Sequence, residues 1–109
     1  MNRDALFLHH ILDSIVRIEK FVKNKSKKDI ETDDLTSSAI IRQFEIIDEA
    51  AKNLSESFKH QNATLPWRAI AGMRDKLIHG YFVVDFDEVW KTIQADLPLL
   101  KAFVEKHVK

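Results

Sequence analysis

The sequence predicts an all-α protein, an up-and-down bundle of four helices. Three observations carry this. Only two glycines and two prolines occur in 109 residues, too few for a fold rich in tight turns. Apolar residues recur at helical spacing in four separate stretches. In the second stretch the steps between apolar positions run four, three, four, three, four, which is the geometry of a bundle seam.

The first helix spans roughly residues 3–23, with Leu8, Ile11, Leu12, Ile15, Ile18 and Val22 as its apolar stripe. It leaves through the basic run Lys23-Asn24-Lys25-Ser26-Lys27-Lys28, which suits a solvated loop at the negative end of a helix or a patch that steers RNA. An acidic turn over 29–34 follows, where Asp33 or Asp34 is a suitable N-cap. The second helix is expected over 35–58, striped by Ile40, Phe44, Ile47, Ala51, Leu54 and Phe58. After a polar connection, Pro66 opens the third helix at a position where its missing N–H costs nothing. Trp67, Ile70, Met73 and Leu77 form its apolar face, Ala69, Ala71 and Gly72 allow a close neighbour, and the helix is expected to end near Gly80. Phe82-Val83-Val84 reads as a short extended connection. Asp85 with Glu88 three residues on resembles a capping box and starts the fourth helix, striped by Val89, Trp90, Ile93, Leu97, Leu100 and Val104. Pro98 falls inside that pattern and should kink the last helix near Asp96.

Residues 1–109 are expected to form a single domain, with no repeat or low-complexity segment. The formal net charge is zero, which argues against a protein that wraps nucleic acid but leaves room for a small basic cleft. Without cysteine, disulfides and thiolate chemistry are excluded. The N-terminal stretch carries Arg3, Asp4, His9, His10 and Asp13, unlike the apolar core of a signal peptide, and no apolar run is long enough to span a bilayer. A cytoplasmic location with no membrane partner is expected.

Chemistry concentrates in Met73-Arg74-Asp75-Lys76-Leu77-Ile78-His79-Gly80-Tyr81. Arg74 offers a permanent, planar cation for phosphate oxygens, and His79 exchanges a proton near neutral pH. On a continuous helix Asp75 and His79, four apart, share a face, so the carboxylate is expected to orient the imidazole. Tyr81 supplies a phenolic hydroxyl just beyond Gly80. These parts suit metal-free phosphodiester cleavage of RNA, whose 2′-hydroxyl is an internal nucleophile that DNA lacks. One histidine does not easily perform both proton transfers, which a symmetric dimer would resolve. By chemistry alone, such a set on a bundle helix is most often a surface ion pair beside a satisfied histidine. No other metal or nucleophile set competes: His9 and His10 point apart, and Ser37 and Ser38 have no histidine near in sequence.

Arg74-Asp75-xxx-His79-Gly80-Tyr81 resembles the Arg-polar-xxx-His motif of the HEPN superfamily, in the Arg-x4-His-x-Tyr form of HepT-type toxins. The likeness extends to residues 39–51, to 65–73, and to 84–90 with Asp96-Leu97-Pro98, and so covers nearly the whole chain. It implies a homodimeric four-helix bundle acting as a metal-independent endoribonuclease toxin without a cofactor. Arg74 and His79 of both subunits would be catalytic in one shared cleft, with Asp75 as the supporting polar residue of the motif. It also implies a partner, a minimal nucleotidyltransferase antitoxin of the MntA type, that silences the toxin by transferring AMP to Tyr81, in a type VII-like toxin–antitoxin system. The chain departs from the family in Asp48-Glu49-Ala50, where Gly-Glu-Ala is usual, and in Asp75, where Asn is frequent. The alternative is a non-catalytic HEPN subunit that binds a nucleotide or docks a nucleotidyltransferase; a structural dimer in which the motif only forms ion pairs is the third.

Overall fold

The computed structural model describes residues 3–79 and 83–108. Two long helices form its centre, α1 (Arg3–Val22) and α3 (Asp34–Lys52). They pack through Ile11, Ile15 and Ile18 on one side and Ile40, Phe44 and Ile47 on the other, all fully buried. Asn24, with φ of 62°, takes the left-handed conformation that closes α1, and the Lys25 amide returns to the Val22 carbonyl at 2.9 Å.

The connection between them is more ordered than a solvated loop. Ser26 and Asp29 form a reciprocal capping box that starts the short helix α2 (Lys27–Glu31), and Ile30 is buried in the core. Lys27 forms an ion pair with Asp87 across the fold. Asp33 then caps α3, accepting from the Leu35 and Thr36 amides.

The expected helix over 35–58 is broken. Asn53 turns its side-chain amide onto the Glu49 carbonyl at 2.8 Å and ends α3. Ser55 caps a separate helix, α4 (Glu56–Gln61), and is itself held by Asp4 of α1 through two hydrogen bonds of 2.7 Å. Phe58 therefore leaves the seam. It packs instead against Trp67, Phe103 and His107.

The third helical segment is α5 (Trp67–Ala71) and α6 (Met73–Leu77), separated at Gly72. A Cβ at Gly72 would meet the Arg68 and Ala69 carbonyls of α5 at 3.5 and 4.0 Å, ordinary contact distances, so no other helix depends on its small size. Both pieces lie on α3 with Trp67, Ile70, Met73 and Leu77 inward, as the stripe predicts. Beyond Leu77 the chain is extended. Strands β1 (Ile78–His79) and β2 (Val83–Val84) pair antiparallel, Ile78 with Val84 and His79 with Val83.

Asp85 caps α7 (Phe86–Lys91), followed by a wide π-turn over Thr92–Asp96 and then α8 (Leu97–His107). The π-turn is the local answer to Pro98, which has no N–H to give to the Gln94 carbonyl. Val89, Ile93, Leu97, Leu100 and Val104 are buried as expected. The fold is thus all-α, and the described residues form four main helical segments with two short helices inserted between them. No helix among the described residues is long and apolar enough to cross a membrane.

Phe44, the largest fully buried side chain, sits in the α1–α3 seam. Phe44→Ala should cost about 3–5 kcal/mol through lost burial and the cavity left behind. Chemical denaturation followed by circular dichroism measures it; a loss under about 1 kcal/mol would mean that the seam is not the core.

Candidate active site

Four elements position the motif. Helix α6 carries Arg74 and Asp75, β1 carries His79, α3 lies beneath Arg74, and Asp85 at the start of α7 meets His79.

Because α6 ends at Leu77, the expected face shared by Asp75 and His79 does not form. Ile78 is already extended, with φ −128° and ψ 124°. Asp75 turns outward, its carboxylate 3.6 Å from Arg74 Nη1. The acid that meets His79 is Asp85, whose Oδ2 lies 3.0 Å from Nε2. The other oxygen of Asp85 accepts the Glu88 amide at 3.1 Å. That amide bond, and then the contact with His79, hold the Asp85 carboxyl below its ordinary range. A carboxylate can only accept, so Nε2 carries the hydrogen, and in the neutral ring the lone pair stands on Nδ1.

Sequence reasoning found Asp85 as a helix cap and missed its second task. The two residues are six apart and meet only because β1 and β2 pair, and a hairpin of two-residue strands leaves no periodic signal. Tyr81 and Gly80 lie outside the described residues.

Arg74 stands over an open groove of about 460 Å³ between α3 and the α5–α6 segment. Its side chain is 33% exposed. Glu45 of α3 reaches to 3.6 Å from its Nε, and also to 3.6 Å from Arg42. Arg42, Lys52 and Arg74 face Glu45, Asp48, Glu49 and Asp75 along the lining. The cations of this groove are therefore balanced by carboxylates within one protomer. His79 is not part of the lining, so one chain does not bring the histidine into the groove of the arginine. Among the described residues no group of three His, Cys, Asp or Glu could hold a metal ion.

Asp48 is the buried member of the set, 7% exposed. Its Oδ2 accepts the Arg74 amide at 2.8 Å, while Oδ1 has no hydrogen-bond partner. Burial pushes this carboxyl up to about 6, against the Arg74 amide bond and Lys52, which favour the charged form. Helical spacing places Asp48 four residues after Phe44 and three before Ala51, at the edge of the buried face, but a charged residue type reads as solvent-exposed.

A family profile described as Ribonuclease HepT-like matches residues 11–107. The chain belongs to the HepT-like family of the HEPN superfamily. A protein of Thermococcus cleftensis named "Probable ribonuclease HepT" is 45% identical over 100 residues, covering 92% of this chain and 91% of that one. One of Caldanaerobacter subterraneus subsp. tengcongensis, named "Putative RNase", is 43% identical over 103 residues, covering 94% and 88%. A longer protein of Methanocaldococcus jannaschii, named "Gamma-glutamylcyclotransferase and putative RNase", is 41% identical over 107 residues; the match takes in 97% of this chain but only 48% of that protein. No solved structure matches the chain. The HepT-like match covers the segment that holds Arg74, Asp75, His79 and Tyr81, and the part of α3 that forms the groove floor.

The raised Asp48 carboxyl has a consequence for stability. The folded protein keeps this proton up to about pH 6, whereas the unfolded chain releases it near 4, so stability falls as pH rises between those values. The component amounts to at most about 3 kcal/mol, and Asp48→Asn should remove it. Urea denaturation of both proteins from pH 4 to 7 tests this: identical pH dependence would show that Asp48 is not the group responsible.

Proposed function

We propose that the protein is a metal-independent endoribonuclease, the toxin of a type VII-like toxin–antitoxin pair, with Arg74 and His79 as its catalytic residues. The observation that carries this reading is the His79–Asp85 contact. It fixes the tautomer of an exposed imidazole a few residues after the Arg74 that overhangs the groove. Membership in a ribonuclease family adds to it.

In the reaction, His79 takes the proton of the RNA 2′-hydroxyl, whose oxygen attacks the adjacent phosphorus. The P–O5′ bond breaks, the departing 5′-oxygen receives a proton from a second imidazole, and a 2′,3′-cyclic phosphate remains. Arg74 stabilises the charge that builds on the phosphoryl oxygens, displacing Glu45 and Asp75 from its guanidinium to do so. Asp85 holds the imidazole in place.

The second imidazole belongs to a second copy of the chain, in a symmetric homodimer whose cleft is composite. That His79 lies outside the Arg74 groove of its own protomer favours such an arrangement. The regulator is a minimal nucleotidyltransferase partner that transfers AMP to Tyr81. The phenol oxygen bonds to the α-phosphorus of ATP, pyrophosphate leaves, and the added phosphate occupies the cationic groups of the cleft.

One observation favours the alternative, a HEPN subunit that binds a nucleotide or its partner without cutting RNA: the groove's cations are already balanced by acids. Cleavage of labelled RNA by unmodified protein in EDTA separates the two. The parent should leave 2′,3′-cyclic ends, and His79→Ala should lose about 10²- to 10⁴-fold in rate with its helical spectrum intact. Arg74→Lys should also be impaired, because an ammonium lacks the planar fork. Undiminished cleavage by His79→Ala would sink the mechanism, and an inert parent would favour the binding subunit. Intact-mass analysis after co-expression with the partner should find AMP increments on Tyr81; increments at another residue would refute that assignment.

A further inference from the structure

Resting on that ribonuclease reading, we propose that Asp48 is the positioning residue of the site, fixing where Arg74 stands by capping the helix that carries it.

Helix α6 needs such help. It has five residues, and its N-cap position is Gly72, which has no side chain to offer. The first amides of a helix have no partner within it, and a helix this short has little stability of its own. In an unbroken α5–α6 helix the Arg74 amide would bond to the Ile70 carbonyl. Here it donates to Asp48 Oδ2 at 2.8 Å, with a smaller contribution from the Met73 amide. The carboxylate of one helix has entered the ladder of another.

The neighbouring turn of α3 acts on the same residue. Glu45 lies three positions before Asp48, on the same face, and its carboxylate stands 3.6 Å from Arg74 Nε. That distance is too long for a hydrogen bond, and Nε has no hydrogen-bond partner. Thus α3 holds the backbone of Arg74 tightly and its side chain loosely. A cation arranged in this way keeps its place yet can be surrendered to a phosphate. Asp48 itself is 7% exposed, with its unpartnered oxygen buried at the wall of the groove.

The ionisation of Asp48 bears on the bond to Arg74. Glu45, Glu49 and Lys52 flank it on α3, Arg42 lies further along the groove, and Arg74 and Asp75 face it from α6. With its carboxyl raised to about 6, the cap passes from a charged to a neutral acceptor in mildly acidic solution.

The test uses the full chain, Asp48→Asn and Asp48→Ala, with two measurements. In ¹H–¹⁵N spectra, the Arg74 amide of the parent should shift with a midpoint near pH 6, and that of Asp48→Asn should not. In RNA cleavage, Asp48→Ala should lose about tenfold or more in kcat per folded molecule, the cost of a displaced catalytic group. Asp48→Asn should stay within about threefold of the parent, because its amide oxygen still accepts the Arg74 N–H. An Arg74 amide whose position at pH 7 is the same in the parent and in Asp48→Asn overturns the proposal whatever the activity. So does an Asp48→Ala variant that is less stable but equally fast per folded molecule. If Asp48→Ala does not fold, the amide position and the activity of Asp48→Asn decide. A titrating amide in a parent that cuts no RNA upholds the Asp48–Arg74 contact and removes the ribonuclease reading instead.

Discussion

Everything in this protein leans on the seam between α1 and α3. Six large apolar side chains, Ile11, Ile15, Ile18, Ile40, Phe44 and Ile47, are fully removed from water there. Hydrophobic burial on that scale stabilises the long helices, which then serve as a fixed wall. The short pieces could not stand alone: α5 and α6 have five residues each and the two paired strands two each, and they depend on contacts with that wall and with one another. The site is built from these dependent pieces. Its geometry is therefore inherited from α3, through Asp48 and Glu45, more than it is set by the local sequence around Arg74.

The division between what the sequence disclosed and what it withheld follows the same line. Apolar periodicity identified Ile11, Phe44, Leu77, Leu100 and Val104 as core, because burial against one partner face repeats with the helical turn. The same periodicity misled at Phe58, which keeps the spacing of the seam although Asn53 has already ended the helix by taking the Glu49 carbonyl. Pro98 announced a disturbance, and the structure meets it with a π-turn one step earlier. Short elements escaped. Ser26 caps a helix that the basic run concealed, and the hairpin after Leu77 replaced the last turn expected of the third helix.

For the candidate site, the motif residues were legible and their partners were not. Arg74 and His79 stand out by chemical type alone. That Asp75 serves the arginine while Asp85 serves the histidine depends on where one helix stops, and this is settled by the pairing of Ile78 with Val84. The near-balance of charge in the groove is likewise a property of α3 and α6 together. It gives the neutral composition a local meaning: Arg42 and Arg74 share Glu45, and Arg74 also meets Asp75, so an anion entering this groove would have to displace carboxylates.

Asp85 divides its two oxygens between the first turn of α7 and the ring of His79. The two bonds are coupled through one carboxylate, so a local opening that frees the Glu88 amide also loosens the histidine. The fraction of time the imidazole is correctly oriented is then tied to the population of a single intact helical turn. Lys27, which clamps Asp87 in that turn to α2, belongs to the same thermodynamic unit although it lies far from the histidine in sequence. The stability of a surface turn thus acts as a lever on how the imidazole is held.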